Sequence, residues 1–208
     1  MKKLLLLTAF ILIGKLNAQT EFGVKAGYNL SQMKWKVSGF NDYDFDSKSY
    51  FYVGGLAEYH LTDKFSIQGE FLYTELGAKT SEELYDLIGS EVVFMGNNTI
   101  TFKTSQIQVP ISAKYYVIPK LSFSAGMNFG INISSKVEQT FSSEMSPSGK
   151  IESYKTINLF PFLGTEYQVN KNLFVDFRYH FNFANAAKKD FIPTYFSIFQ
   201  AGIGYRFK

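Results

Sequence analysis

Apolar and polar residues alternate without interruption from Leu121 to Ile133. Every second residue of this segment is apolar, and each residue between is Ser, Asn or Gly. A period of two predicts a β-strand with one apolar face. A strand of a soluble sandwich would alternate too, but the segment's 13 residues exceed the five or six of a typical strand. The length is that of a tilted membrane crossing.

The same alternation recurs along the chain and predicts eight strands. They cover residues 21–33, 50–61, 65–78, 99–117, 121–133, 154–169, 173–184 and 194–207. Three connections are short, namely 62–64, 118–120 and 170–172, whereas those at 34–49, 79–98, 134–153 and 185–193 are long. Strict alternation of short and long connections is typical of outer-membrane barrels, with tight periplasmic turns and longer extracellular loops. The fold predicted is an all-β, eight-stranded antiparallel up-and-down transmembrane β-barrel with both termini in the periplasm.

The two faces of the predicted strands differ in polarity. On the seventh strand one face is apolar: Leu173, Val175, Phe177, Tyr179, Phe181 and Phe183. The other face is mostly polar: Phe174, Asp176, Arg178, His180 and Asn182. We assign the apolar face to lipid, because a soluble barrel such as a lipocalin would place its apolar side chains inside and its charges outside.

Aromatic residues on the outward face fall at two heights. One group lies near the short turns or the C-terminus: Tyr59, Phe65, Tyr115, Tyr167, Tyr205 and Phe207. The other lies near the long loops: Phe51, Tyr73, Phe181, Phe183 and Tyr195. The preference of aromatic residues for strands explains their number, but not these two heights. Two aromatic girdles around an apolar band are what membrane interfaces require.

The first 18 residues are predicted to be a secretory signal peptide, which leaves residues 19–208 as the barrel domain. Lys2 and Lys3 precede the apolar run Leu4–Ile13, and Asn17-Ala18 precedes the expected cut. A membrane-anchor helix is the alternative, but the run is shorter than the roughly 20 residues that cross a bilayer. Three of the 21 Lys and Arg residues lie in this segment, so the remainder equals the 18 Asp and Glu residues. A neutral mature chain argues against a nucleic-acid partner.

Three further segments carry a resemblance to a known family. They are Phe22–Asn29 with the sequence FGVKAGYN, Gln108–Ile111 followed by Lys114–Tyr116, and the closing Gly202–Phe207 with the sequence GIGYRF. In this order the chain resembles the small outer-membrane β-barrel family often labelled porin-like or PorT-like. The resemblance implies a fold and an outer-membrane location. Some relatives assist protein secretion, but no residue here matches a functional motif for that role.

Charged residues on the inward face form the candidate site. They are Lys25, Glu58, Glu70, Lys114, Glu166, Asp176, Arg178 and Arg206, four of each sign. We expect Lys25 to approach Glu58, Glu70 to approach Lys114, and the two arginines to approach Glu166 or Asp176. Because buried charges persist when they are paired, the set is interpreted as a structural network that fills the lumen.

An ion or proton path through these charges is the alternative, and it would make the protein a narrow channel. Bulky inward residues argue against a water column: Leu56, Leu72, Tyr116, Phe160, Phe162, Phe174 and Phe196. Eight strands also leave an interior that side chains can fill.

No enzyme, cofactor or metal site is predicted. The chain has two histidines, His60 near a short turn and His180 well up its strand, and no cysteine. Both histidines point inward at different heights, so they cannot act together in lipid hydrolysis.

The long loops suggest partner binding, besides contact with outer-membrane lipid. Thr80 and Glu83 form a capping box ahead of Leu84, Tyr85, Leu87 and Ile88, which predicts a short helix in the second long loop. This loop also carries an acidic excess of three. The segment Ser146–Gly149 predicts the turn of a hairpin that extends the fifth and sixth strands, although a solvated loop is the alternative.

Overall fold

The computed structural model describes residues 19–207 except 38, 40, 142, 143, 147, 182 and 183. The predicted signal peptide therefore lies outside the described residues. Eight long strands make up the body of the molecule: β1 Thr20–Trp35, β2 Asp46–His60, β3 Phe65–Ile88, β4 Glu91–Ile118, β5 Leu121–Phe141, β6 Ile157–Gln168, β7 Leu173–His180 and β8 Thr194–Phe207. Among the described residues there is no helix long and apolar enough to cross a membrane.

Each long strand pairs antiparallel with its neighbours in the sequence, and β8 returns to β1. The closing ladder runs from Phe22 opposite Phe207 to Trp35 opposite Thr194. The ring therefore has no open edge along its body, which satisfies the backbone hydrogen-bonding groups without water. The prediction of an all-β, eight-stranded up-and-down barrel is confirmed.

Side-chain burial follows the predicted faces. Phe177 and Tyr179 on β7 are exposed on the outside, while Asp176, Arg178 and His180 between them are buried in the lumen. Lys25 and Asn29 on β1 are likewise buried, and their neighbours Val24 and Tyr28 are exposed. The outer surface is apolar and the lumen is mostly polar, as a barrel surrounded by lipid requires.

The two ends of the barrel differ in their connections. We call "turn end" the end with the short turns 61–64, 119–120 and 169–172, where Thr20 and Phe207 also lie. We call "loop end" the opposite end, which carries the long connections. Two-residue strands occur in these connections at Tyr43–Asp44, paired with β1, and at Glu144–Met145 and Gly149–Lys150, both paired with β5.

The helix predicted in the second long loop is wrong. Strands β3 and β4 continue through this region to a turn at Gly89 and Ser90, where Gly89 has a φ of 69°. A side chain there would be strained, so glycine favours this tight reversal. The stretch Val92–Phe94 is rich in β-branched and aromatic residues, and cross-strand pairing with Tyr85, Asp86 and Leu87 outweighs the capping box.

The hairpin predicted from the fifth and sixth strands is half right. β5 extends to Phe141, but its last residue pairs antiparallel with Glu144 and not with β6, which begins only at Ile157. Pro147 of the predicted turn lies outside the described residues. The predicted seventh strand was too long, because β7 ends at His180, and Asn182 and Phe183 lie outside the described residues.

Pro110 and Pro161 lie within predicted strands, where the missing N–H donor predicts a bulge or local irregularity. The register continues through both, although the β3–β4 pairing is interrupted opposite Pro110, between Gly69–Ile111 and Leu72–Gln108. Pro110 pairs with Asn128, and the register shifts of β4 lie elsewhere. Pro161 pairs with Met127, and its carbonyl accepts a hydrogen bond from the Phe181 N–H at 2.8 Å, where the β6–β7 ladder ends. Proline lacks only the donor, so a strand can retain its register at such a position.

Candidate functional site: the closed lumen

The eight predicted charged side chains all lie buried in the lumen, in two groups at different heights. The "rim cluster", nearer the turn end, consists of Glu58, Lys114, Glu166 and Arg206. The "inner cluster", further up the lumen, consists of Lys25, Glu70, Asp176 and Arg178. Each cluster has two cations and two anions, so each is neutral by itself.

The inner cluster is a closed set of ion pairs. Lys25 Nζ lies 2.6 Å from Asp176 Oδ2 and 3.5 Å from Glu70 Oε2. Arg178 contacts both anions, through Nη2 to Glu70 Oε1 and through Nε to Asp176 Oδ2 at 3.2 Å. The Tyr52 hydroxyl donates to Asp176 Oδ1 at 3.4 Å. Each charge therefore has at least two polar partners, which buried ions need to offset their loss of hydration.

The rim cluster repeats this arrangement. Lys114 Nζ lies 2.9 Å from Glu58 Oε2 and 3.0 Å from Glu166 Oε2. Arg206 Nη2 lies 2.7 Å from a carboxylate oxygen of the same two glutamates. The Tyr116 and Ser66 hydroxyls both donate to Glu58 Oε1 at 2.5 Å. Charge-assisted bonds of this kind are shorter and stronger than neutral ones.

Gln68 connects the two clusters. Its Oε1 accepts a hydrogen bond from Lys114 Nζ at 3.0 Å, and its Nε2 donates to Glu70 Oε1. Aromatic rings also cover the cations, since Arg206 lies 4.2 Å from the centroid of Phe174 and Arg178 lies 5.1 Å from that of Phe162.

Two of the expected pairings are wrong. Lys25 does not pair with Glu58, because Lys25 lies opposite Gly54 and Glu58 is four residues further along β2, about 13 Å away at the rise of a strand. Glu70 and Lys114 are not in direct contact either, since Gln68 lies between them. The arginines do contact the expected acids, Arg178 with Asp176 and Arg206 with Glu166.

Neutral polar side chains fill the middle of the lumen. His180 Nε2 lies 2.9 Å from Gln200 Oε1, and Gln200 Nε2 donates to Gln108 Oε1 at 3.4 Å. Gln108 in turn donates to Gln106 at 2.8 Å. His60 is near the turn end, 3.8 Å from Glu21, so the two histidines lie at different levels of the barrel, in different surroundings. Among the residues that the structure describes, no cluster could hold a metal ion.

An apolar cluster, here called the "cap", closes the lumen at the loop end. Its buried members are Met33, Phe45, Leu76, Ala78, Phe160, Ala186, Phe196 and Ile198, with Trp35, Phe102 and Tyr154 packed against them. The connection between β7 and β8 folds inward to contribute Ala186, whose N–H donates to the Thr194 carbonyl at 2.8 Å. Burial raises the pKa of the Tyr154 hydroxyl, which stays neutral and donates to Met33 Sδ at 3.3 Å.

The outer membrane protein beta-barrel domain family matches residues 17–188, most of the chain. The chain belongs to this family. Membership in it identifies the protein as an integral β-barrel of the bacterial outer membrane.

Solved structures of two other outer-membrane barrels share the fold. Ail, the attachment invasion locus protein of Yersinia pestis, was solved with the heparin analogue sucrose octasulfate. It is 15% identical with a TM-score of 0.51, and the match covers 91% of this chain and 99% of Ail. Neisserial surface protein A is 16% identical with a TM-score of 0.52, covering 89% of this chain and 97% of its own. No curated protein matches. At these identities the likeness concerns the fold alone.

For the cap of this family member, sequence reasoning placed Phe160 and Phe196 inside the lumen but missed Trp35, Phe45 and Ala186. Trp35 ends β1 and Phe45 directly precedes β2, whereas the sequence analysis places both in the long connection 34–49. The alternation of Tyr43 and Phe45 with acidic residues was the available signal, since a period of two predicts strand structure before residue 50. Ala186 gave no signal, because its burial depends on how the β7–β8 connection folds inward.

Proposed function

We propose that this protein is a non-enzymatic, non-conducting barrel that presents its loop end to a partner outside the cell, in a structural or partner-binding role within the envelope or in secretion. The turn end and both termini then face the periplasm, and residues 1–18 are removed on export. Short turns at one end and long connections at the other support this orientation.

The observation that carries the proposal is the sequence of three barriers along the lumen. From the turn end, the first barrier consists of the two neutral ion-pair clusters together. The second is the layer of Gln106, Gln108, His180 and Gln200, and the third is the apolar cap. An ion would have to displace paired charges and then cross an apolar layer without water. A barrel of eight strands has no room for a parallel route.

The extended β3–β4 hairpin supports the partner-binding half of the proposal. β3 runs nine residues past Lys79, the last residue that pairs with β2, so the hairpin reaches roughly 30 Å further. From Ser81 to Ile100 it carries Glu82, Glu83, Asp86 and Glu91 and no basic residue. Exposed apolar residues accompany them: Leu84, Tyr85, Leu87, Ile88, Val92, Phe94 and Met95. Apolar side chains exposed in this number favour contact with another molecule.

Electrical recording distinguishes the closed barrel from a narrow channel. Residues 19–208, folded into lipid and inserted in planar bilayers, should give no steady current above that of protein-free lipid. A 16-stranded porin, whose wider lumen holds water, serves as the positive control in the same bilayer. A stable, ion-selective current from the unmodified protein would refute the closed-lumen proposal and favour the channel.

A further inference from the structure

A cavity of about 440 Å³ opens at the loop end, above the cap. We call it the "mouth pocket". The residues that line it are Trp35, Val37, Asn41, Tyr43, Phe45, Thr80, Ile100, Phe102 and Ile192. Thr80 pairs with Ile100 and lies in register with the buried Leu76 and Ala78, so this part of the wall faces the barrel axis and not lipid.

Four aromatic rings from three parts of the chain form one side of the mouth pocket. The Trp35 ring meets Phe45 and Phe102 edge to face, with centroids 4.8 and 5.7 Å apart. Phe45 meets Tyr43 in the same way at 4.7 Å. Edge-to-face contacts are the geometry in which aromatic rings attract one another. A further ring entering the pocket would find edges and faces already oriented to receive it.

The described lining carries no charged side chain. Two hydroxyl groups on its wall, those of Tyr43 and Thr80, are 2.9 Å apart and bond to each other. A charged ligand would lose its hydration here and gain no ionic partner. The lining therefore selects for uncharged molecules.

A second, smaller cavity lies beside the first. Its volume is about 120 Å³, and Trp35, Phe102 and Ile192 form part of both walls. Tyr154 and Phe191 close its far side. The two cavities are therefore separated by side chains that both of them contact.

We propose that the mouth pocket binds a small, uncharged molecule with an aromatic ring, taken up from outside the cell. This goes beyond the proposed function, which assigns no small-molecule site. The volume is within the range of pockets that enclose small ligands, roughly 300 to 1,000 Å³, and such pockets are mainly apolar and aromatic. Because the cap seals the floor, the ligand is held at the loop end and not passed through the barrel.

Trp35 provides a direct readout, because it is the single tryptophan of the chain. The protein in lipid nanodiscs is titrated with 4-nitrotoluene, a neutral contact quencher, and with 4-nitrobenzoate, its charged counterpart. N-acetyltryptophanamide with empty nanodiscs corrects for partition into lipid. We expect saturable quenching of Trp35 by 4-nitrotoluene and at least tenfold weaker binding of 4-nitrobenzoate. Quenching that never saturates, or that is equal for both probes, would overturn the proposal.

Two matched substitutions locate the effect. Ile192→Asp places a charge on the wall shared by both cavities, whereas Leu87→Asp makes the same change on the remote tip of the hairpin. Binding of 4-nitrotoluene should weaken at least tenfold in the Ile192 variant and stay unchanged in the Leu87 variant. Unchanged binding in the Ile192 variant, or equal weakening in both, would show that the probe does not occupy this pocket. Because the readout is fluorescence, the result is independent of whether the lumen conducts.

Discussion

Glycines on β8 make room for the side chains that fill the lumen. Gly204 lies opposite Phe174, and a Cβ at this position would overlap the Phe174 ring. Phe174 is fully buried and carries Arg206 over its face. A single methyl group at residue 204 would therefore displace a rigid ring and, with it, a cation of the rim cluster.

We predict that Gly204→Ala destabilises the barrel by about 1 to 3 kcal/mol, the usual cost of overpacking. Gly69→Ala is the matched control, because a Cβ there meets no atom within 4 Å. It should change stability little, or raise it slightly, since alanine loses less backbone freedom on folding than glycine. Unfolding by denaturant in lipid vesicles measures both, and equal effects of the two substitutions would contradict the packing argument.

The same glycines explain why residue faces were predictable while residue partners were not. The period of two assigned all eight charges to the lumen, because the face of a residue depends only on its position along its own strand. The partner depends on neighbouring strands. Lys25 on β1 reaches Asp176 on β7 across β8, where Gly204 faces Lys25 and Gly202 faces Asp176. A contact that crosses a neighbouring strand at its glycine positions leaves no periodic pattern in the sequence.

At the scale of elements, the second long connection shows where local signals mislead. Thr80 and Glu83 have the spacing of a helix cap, and Leu84, Leu87 and Ile88 have the spacing of an apolar helix face. The same residues are also compatible with a strand. A hairpin forms because Leu87 and Ile88 find Val92 and Glu91 across a two-residue turn, and such pairing is invisible in either half alone.

The hairpin tip should be the part of the molecule that meets a protein partner. A photo-crosslinking residue at Leu87, exposed on the tip, should give a discrete protein adduct in intact outer membranes. The yield should fall as salt rises, because four acidic residues favour a basic partner. The control is Leu163, which is exposed on the outer face of β6 and should give lipid adducts only. No protein adduct at Leu87 beyond the level at Leu163 would contradict the assignment.

For the whole molecule, the important property is that its barriers are separate. The ion-pair clusters belong to the half of the lumen nearer the turn end, and the cap belongs to the loop end, with the glutamine layer between them. The barriers share strands, but they lie at different heights of the lumen and are held together by different contacts. Loss of one should therefore weaken the fold without opening a path, whereas in a channel the lumen charges would control the current.

Arg178→Ala tests this separation. It leaves Glu70 and Asp176 with Lys25 as their one remaining cation in the inner cluster. Removing one partner of a buried ion pair lowers the free energy of unfolding by about 3 to 5 kcal/mol. The denaturant concentration at the unfolding midpoint should therefore fall clearly. The control Lys103→Ala removes a partly exposed pair with Glu75, 3.0 Å long, and should cost about 0 to 1 kcal/mol.

In planar bilayers, the folded Arg178→Ala variant should remain silent, because the cap is intact and lies at the other end of the lumen. Folding of each sample is verified by its shift in gel migration on boiling, so that silence cannot result from unfolded protein. A channel predicts the reverse result: the unmodified protein conducts, and Arg178→Ala changes ion selectivity with little effect on stability. A current that appears in the variant alone would show that the inner cluster is the main barrier and that the cap is permeable to ions.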